Sequence, residues 1–502
     1  MFLPILLLAL MIIILLKQKT NPKNPPGPLG LPFIGNLHQF NKSKPHIYLY
    51  NLSKTYGPLT YLKHGSTPVI VINSKKLAKQ ILKTNDLSFC TRPPVLGQQK
   101  LAYEGIDIAF SPYNDHWKNM RKICVLHLFS SKQVFKFRPI REDEVSRMVN
   151  KISKLCSMSK PINLSDLSMS LASNLICRVA FGKRYDDCEY EKLRFDKLVM
   201  EAQALMVSFY FSDHFPAFGW VDKLSGLLGR LEKNCKELDV FYKELIDEHL
   251  NPSRQKMERE DIIDLMIQLK EDQDASKLDL TWDHIKALLM DLLVAGTDTV
   301  AAAVVWSMTT LITRPEIMRK AQAEIREVIG KNGIVDEEDV KKMKYLKGVV
   351  LEVLRMYPPA PLLFRKQITQ EECLIEGYKI RSRTTIVING WAIGRDPETW
   401  KNPDEFKPER FMISSTTNDD SILRFDIRAC QFEMIPFGGG RRGCPGMEMG
   451  LISIELALAN LLYAFDWALP QTMTVEDIDT NSLPGLTMHK KNALVLMATS
   501  YI

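Results

Sequence analysis

Residues 437–446 constrain this chain more than any other stretch. They read Phe437-Gly-Gly-Gly-Arg-Arg-Gly-Cys444-Pro and close with Gly446. Three consecutive glycines clear side chains from around one cysteine and let the backbone approach something flat and bulky. Arg441 and Arg442 stand beside them, placed to meet anionic groups on that object. Pro445 and Gly446 begin what reads as a helix, which puts Cys444 near a helix N-terminus, a position that favours a thiolate.

Gly438, Gly440 and Gly443 also satisfy G-x-G-x-x-G, the pattern of a dinucleotide-binding turn. That pattern belongs after a buried strand and at the opening of a helix. Here Pro436 precedes it, and Cys444-Pro445 stand where helix packing should continue. A glycine-rich loop around a buried structural cysteine is the plainer alternative. The fixed offsets favour a thiolate held by backbone donors over a planar cofactor, which is what haem iron needs from a protein. Phe437-x-x-Gly440-x-Arg442-x-Cys444-x-Gly446 resembles the haem-binding signature of the cytochrome P-450 superfamily. The resemblance covers nearly the whole chain and points to plant microsomal members acting on specialised metabolites. It implies a mainly α fold with small β-sheets: one large helical domain holding haem b between a long central helix and the Cys444 loop.

The chain has 502 residues and a 45% hydrophobic fraction, enough for a sizeable core. Net charge is +7, from 66 basic and 59 acidic residues, and no basic run with interleaved aromatics appears, so nucleic-acid binding is not expected. Nine cysteines at irregular spacing form no C-x-x-C pair, which argues against zinc ribbons and covalent haem and suits a reducing compartment. Phe2 to Leu16 carry no charge, and Lys17, Lys19 and Lys23 follow directly. The run is slightly short for a span, yet the basic flank lies on its C-terminal side and no small-residue cleavage site follows. The expectation is an uncleaved transmembrane anchor over 1–17, a proline-rich hinge over 18–34 and a cytosolic catalytic domain over 35–502. That makes a single-pass protein of the endoplasmic reticulum membrane.

Leu59–Lys63 and Val69–Ile72 alternate around Gly65 and predict a hairpin; Cys373–Ile380 and Thr384–Asn389 predict further short strands. Asn251–Asp261 reads as a polar surface loop. The longest predicted helix runs from Thr281 to Thr313, stops before Arg314-Pro315 and is apolar almost all round. Inside it lies Ala295-Gly296-Thr297-Asp298-Thr299. Buried polar groups need partners, and Gly296 is expected to open room beside the helix axis. The functional reading is an oxygen pocket in which Thr299 and Asp298 organise water for proton delivery; a satisfied polar notch is the plainer one. Val300 stands where the family commonly has a second hydroxyl residue.

Trp117 and Arg121 lie one helical turn apart and share a face. By resemblance they hold the haem propionates together with Arg442, and Arg365 is a fourth candidate. Phe437, Gly440 and Gly446 complete the cofactor loop, and Cys444 is the expected axial ligand of the haem iron. The resemblance assigns Glu352, Arg355 and Arg410 to a buried cluster that supports this loop. It places substrate contacts in Leu96–Asn114, Leu205–Trp220, Ala360–Phe364 and Leu483–Met488. The implied reaction inserts one oxygen atom from O2 into a small apolar terpenoid, phenolic or alkaloid. Electrons come from NADPH through a membrane-bound haemoprotein reductase. An aldoxime-metabolising enzyme of the same fold, a non-oxidative thiolate-haem isomerase or dehydratase, and a non-catalytic haem-binding protein are the alternatives.

Overall fold

A computed structural model describes residues 24–41, 43–254, 259–272, 279–331, 333–368, 373–413, 422–423 and 432–501. The expected anchor over 1–17, the start of the hinge as far as Lys23, Cys430 and the middle of the 251–261 loop lie outside the described residues. The principal helices are α1 (Pro45–Tyr56), α2 (Asp115–Ile123), α3 (Arg138–Ser157), α4 (Leu164–Phe181), α5 (Glu189–Met206), α6 (Leu227–Leu250), α7 (Trp282–Ile312), α8 (Pro315–Ile329), α9 (Lys344–Met356) and α10 (Met447–Ala464).

Helix α7 organises the molecule. Its 31 residues span roughly 46 Å at 1.5 Å per residue. Thr281 and His284 cap its N-terminus reciprocally: the Thr281 side chain accepts the His284 N–H, and His284 Nδ1 accepts the Thr281 N–H at 3.0 Å. It ends at Thr313 because Pro315 cannot continue it and instead opens α8. The two halves of α7 serve two different cores. Ile285–Leu293 pack with α4, α5 and α6. Val300–Ile312 pack with α8, α9 and α10. Between the two cores, Ala295 is exposed and Val294, Gly296, Asp298 and Thr299 are only half-buried. Helices α7 and α10 are apolar enough to cross a membrane by length alone, but both are mostly buried within the fold.

A four-stranded sheet flanks the helices, with strands β1 (Leu59–His64), β2 (Thr67–Ile72), β3 (Leu362–Lys366) and β4 (Thr385–Asn389) in the order β1-β2-β4-β3. The predicted hairpin is β1–β2, antiparallel with Leu59 opposite Ile72. β2 and β4 are parallel, whereas β3 runs antiparallel to β4 and sets Arg365 opposite Ile386. The sheet thereby fixes the depth at which Arg365 enters the interior. Cys373–Ile375 and Tyr378–Ile380 form a separate hairpin through Glu376 and Gly377, both at positive φ. A third sheet pairs Val495–Ser500 with Phe465–Ala468 and with Ile162–Asn163, tying the C-terminal segment to the start of α4.

Candidate active site

The Cys444 loop precedes α10. Gly438 and Gly440 adopt φ of +72° and +65°, and a Cβ on Gly440 would lie 2.4 Å from the Leu82 carbonyl oxygen. Both conformation and space therefore call for glycine. The Cys444 N–H donates to the Phe437 carbonyl at 2.9 Å, closing the loop, and Phe437 packs on the core that holds the C-terminal half of α7. Gly446 caps α10 and donates its N–H to the Cys444 sulfur. Arg121 donates to the Gly443 carbonyl and adds a positive charge beside the sulfur. Both favour a thiolate, yet burial outweighs them and pushes the free thiol up, contrary to the sequence expectation. Cys444 nonetheless has accessible surface. Together these describe a thiol in a protein-lined recess, where a coordinated metal would displace the proton.

Arginines crowd beside this recess. Arg442 donates to the carbonyls of Cys90 (2.8 Å), Ile108 (3.2 Å) and Ser111 (2.7 Å), and its guanidinium lies 4.0 Å above the Trp117 ring. The Trp117 indole N–H donates to the same Ile108 carbonyl at 3.0 Å. The indole therefore acts here as a platform for Arg442, where the sequence suggested a donor to an anion. Arg92, which the sequence reading did not single out, donates to the carbonyls of Ala109 (2.8 Å) and Phe364 (2.6 Å). Arg365 is fully buried, reaches the carbonyls of Phe364 (2.9 Å) and Gly439 (3.5 Å), and leaves its Nε without a partner. Burial lowers Arg92 to about 10, and burial together with repulsion from neighbouring arginines lowers Arg442 to about 9 and Arg365 well below its ordinary value. A buried cationic cluster with an orphaned guanidinium N–H fits a ligand that carries carboxylates. Arg441 does not join it. It pairs with Asp86 at 2.7 Å nearer the surface, so only one of the two adjacent arginines faces inward.

A buried carboxyl pair braces the segment that receives these arginines. Asp291 of α7 accepts the N–H groups of Ile108 (2.8 Å) and Ala109 (3.3 Å), and Asp107 accepts the N–H of Phe110 (2.8 Å). Burial raises both carboxyls, and the neighbouring Asp107 raises Asp291 further.

On α7, the Thr299 hydroxyl donates to the Ala295 carbonyl at 2.7 Å. Asp298 Oδ2 lies 3.4 Å from His489 Nε2. Gly296 does not open room: a Cβ there would lie 2.8 Å from Cδ1 and Cγ1 of Ile176 on α4, so the glycine lets two helices approach. Glu352 of α9 takes Arg355 through a forked pair at 2.6 and 2.8 Å, Arg410 at 3.0 Å and the Lys407 N–H at 2.9 Å. Arg355 continues to the carbonyls of Gly394 and Pro403. The structure thus brings Glu352, Arg355 and Arg410 into one buried network.

The model of the cytochrome P450 family matches residues 25–497. The chain belongs to the cytochrome P450 family. Among relatives of this cytochrome P450, 6,7,8-trihydroxycoumarin synthase from Pastinaca sativa is 48% identical over 95% of this chain and 93% of that protein. 5-OH-xanthotoxin synthase from the same plant is 46% identical over 95% and 94%. Cytochrome P450 71B37 of Arabidopsis thaliana is 44% identical over 100% and 99%. A zebrafish cytochrome P450 crystallised with abiraterone shares the fold, with a TM-score of 0.73 at 22% identity over 91% of this chain and 100% of that one. The protein is a haem-thiolate monooxygenase that uses O2 and takes electrons from a redox partner.

Proposed function

We propose that this cytochrome P450 inserts one oxygen atom into a small, flat phenolic plant metabolite of the coumarin class. Similarity over nearly the full length to plant enzymes named for coumarin products carries this reading. Haem b is the cofactor the donor set suits: Cys444 for the iron, and Arg92, Arg121, Arg365 and Arg442, with Trp117 beneath Arg442, for two propionates. When bound, it activates O2, with thiolate donation favouring O–O cleavage. Thr299 keeps its hydroxyl proton on the Ala295 carbonyl, which leaves its oxygen lone pairs for a water in the half-buried stretch of α7. Asp298, the next residue on α7, is the group that passes protons to that water. The second oxygen atom leaves as water with two protons, so this end of the site must pass protons inward.

The electron donor in this reading is an NADPH–haemoprotein reductase on the endoplasmic reticulum membrane. Phe2–Leu16 and the lysines after it supply a single-pass anchor with the catalytic domain on the cytosolic side. An apolar face of the described residues supports membrane contact. Leu29, Leu31, Phe33 and Ile34 are exposed, as are Phe211, Phe218, Trp220 and Leu224. The β1–β2 turn joins the two groups: the Gly65 N–H donates to the Ile34 carbonyl, and the Ser66 N–H to the His214 carbonyl.

The test is turnover in vesicles containing reductase, NADPH and 18O2, with panels of coumarins, terpenoids and alkaloids. A coumarin product carrying one labelled oxygen is expected. Product from terpenoids or alkaloids alone would remove the substrate assignment. Replacing Cys444 with Ala should abolish the red-shifted Soret band of the reduced, carbon-monoxide-bound protein; a retained band would remove the ligand assignment.

A further inference from the structure

We propose that His489 is the proton donor to Asp298, forming the outer end of a relay that runs from solvent through His489 and Asp298 to the water at Thr299. This rests on the role given to Asp298 and Thr299 above.

His489 comes from a loop 191 positions after Asp298, and its Nε2 lies 3.4 Å from Asp298 Oδ2. Asp298 has no other side-chain partner among the described residues. The His489 side chain is 26% exposed and that of Asp298 13%, so water reaches the imidazole more freely than the carboxylate.

The placement is built. The Met488 N–H donates to the Pro359 carbonyl at 2.8 Å, and the Met488 carbonyl accepts the Trp306 indole N–H at 2.6 Å. Trp306 lies two turns beyond Asp298 on α7 and stacks on Tyr357 with centroids 4.5 Å apart. The loop is therefore pinned along α7, and the next side chain after the pin is His489. The Leu483 N–H donates to the His489 carbonyl at 2.8 Å, fixing the backbone on the other side. The neighbouring cation, Lys490, is engaged by Asp479 at 3.0 Å and by the Asn492 carbonyl.

The residue type matters. A carboxylate is ionised at neutral pH and must be resupplied with protons before it can deliver them. Arginine or lysine in the same place would hold Asp298 ionised and release nothing. Imidazole titrates in the neutral range and both holds and gives a proton. In the step, the Nε2–H bond of the imidazolium breaks and an O–H bond forms on Asp298 Oδ2. The neutral imidazole then takes a proton from solvent, and Asp298 passes its own to the water at Thr299.

The experiment uses full-length holoenzyme in reductase-containing vesicles, comparing wild type with D298N, H489Q and H489R. Each variant is first checked for the thiolate spectrum of its reduced carbon-monoxide complex. Product and hydrogen peroxide formed per NADPH are then measured in H2O and D2O. In the reduced carbon-monoxide form, 13C-labelled histidine ring signals are titrated by NMR, with His489 assigned by its loss in H489Q. The expected result is a His489 titration that differs between wild type and D298N, as its anionic neighbour is removed. Product per NADPH should fall about tenfold in both H489Q and H489R, with peroxide rising and the solvent isotope effect enlarged. H489R keeps an ion pair to Asp298, so wild-type coupling in H489R would show a purely structural bolt and overturn the relay. An unchanged His489 titration in D298N would overturn it independently of whether the His489 variants fold. If D298N itself keeps wild-type coupling, the role of Asp298 fails; if D298N uncouples and H489R does not, only His489 fails.

Discussion

Arg365 occupies a costly position for a guanidinium, fully buried and repelled by Arg92 and Arg442, with one N–H unpaired. Such a site is tolerable only where an anion completes it. Arg365→Leu should therefore fold but release haem faster, by about tenfold or more, the equivalent of one charge-assisted hydrogen bond. Transfer of haem to an excess of apomyoglobin measures this, and an unchanged rate would exclude Arg365 from propionate binding. Asp291 makes the opposite demand, because burial and Asp107 keep it protonated. In the unfolded chain both carboxyls ionise above about pH 4. The folded state therefore binds more protons above that point, and the pair's contribution, complete in acid, is lost as pH rises. Asp291→Asn keeps an acceptor for the Ile108 and Ala109 amides and needs no proton. Its melting temperature relative to wild type should climb between about pH 5 and about pH 8. A constant difference would show that Asp291 does not hold its proton in the folded protein.

Among the elements, α7 carries the clearest divided loyalty: two cores, with the working stretch between them. Its close contact with α4 depends on Gly296. Gly296→Ala gains helix propensity of up to about 1 kcal/mol but forces a methyl group into Ile176, and overpacking costs about 1–3 kcal/mol. A lower melting temperature is expected, partly restored by adding Ile176→Val; stabilisation by Gly296→Ala alone would show that α4 can yield. In α9, Glu352→Ala leaves Arg355 and Arg410 facing each other without their shared anion. The expected loss is about 3–5 kcal/mol, visible as a low ratio of haem to protein after expression. The limits of α7 were legible because capping is local: Thr281 and Pro315 act within one turn of its ends. Arg92, Asp107 and His489 were not. Each meets its partner through tertiary contact across an irregular segment, and no periodicity marks such residues. Asp291 was visible only as a charge in an apolar helix. Gly296 was misread because a missing side chain looks the same in sequence whether it makes a cavity or admits a neighbour.

At the scale of the whole molecule, the membrane attachment proposed above raises the matter of what would orient the catalytic domain there. Two apolar groups far apart in sequence meet at the β1–β2 turn, and the chain that leads into one of them comes directly from the expected anchor. Phe33 is 85% exposed, and Trp220 and Leu224 are also well exposed, which is expensive in water unless the face is covered. A tether alone would leave the domain free to rotate, whereas an apolar face inserted in the bilayer would set its tilt. A chain starting at Asn24 should then still bind lipid vesicles. Phe33→Asp and Trp220→Asp should each weaken that binding by about tenfold, the equivalent of leaving one large side chain unburied. Salt separates this from simple charge attraction. A net charge of +7 would bind anionic vesicles in a manner lost at high ionic strength, while apolar insertion persists on neutral vesicles and in salt. Co-sedimentation of the truncated protein and both variants with neutral vesicles at high salt decides the matter, because binding that vanishes there leaves the face without a role at the bilayer.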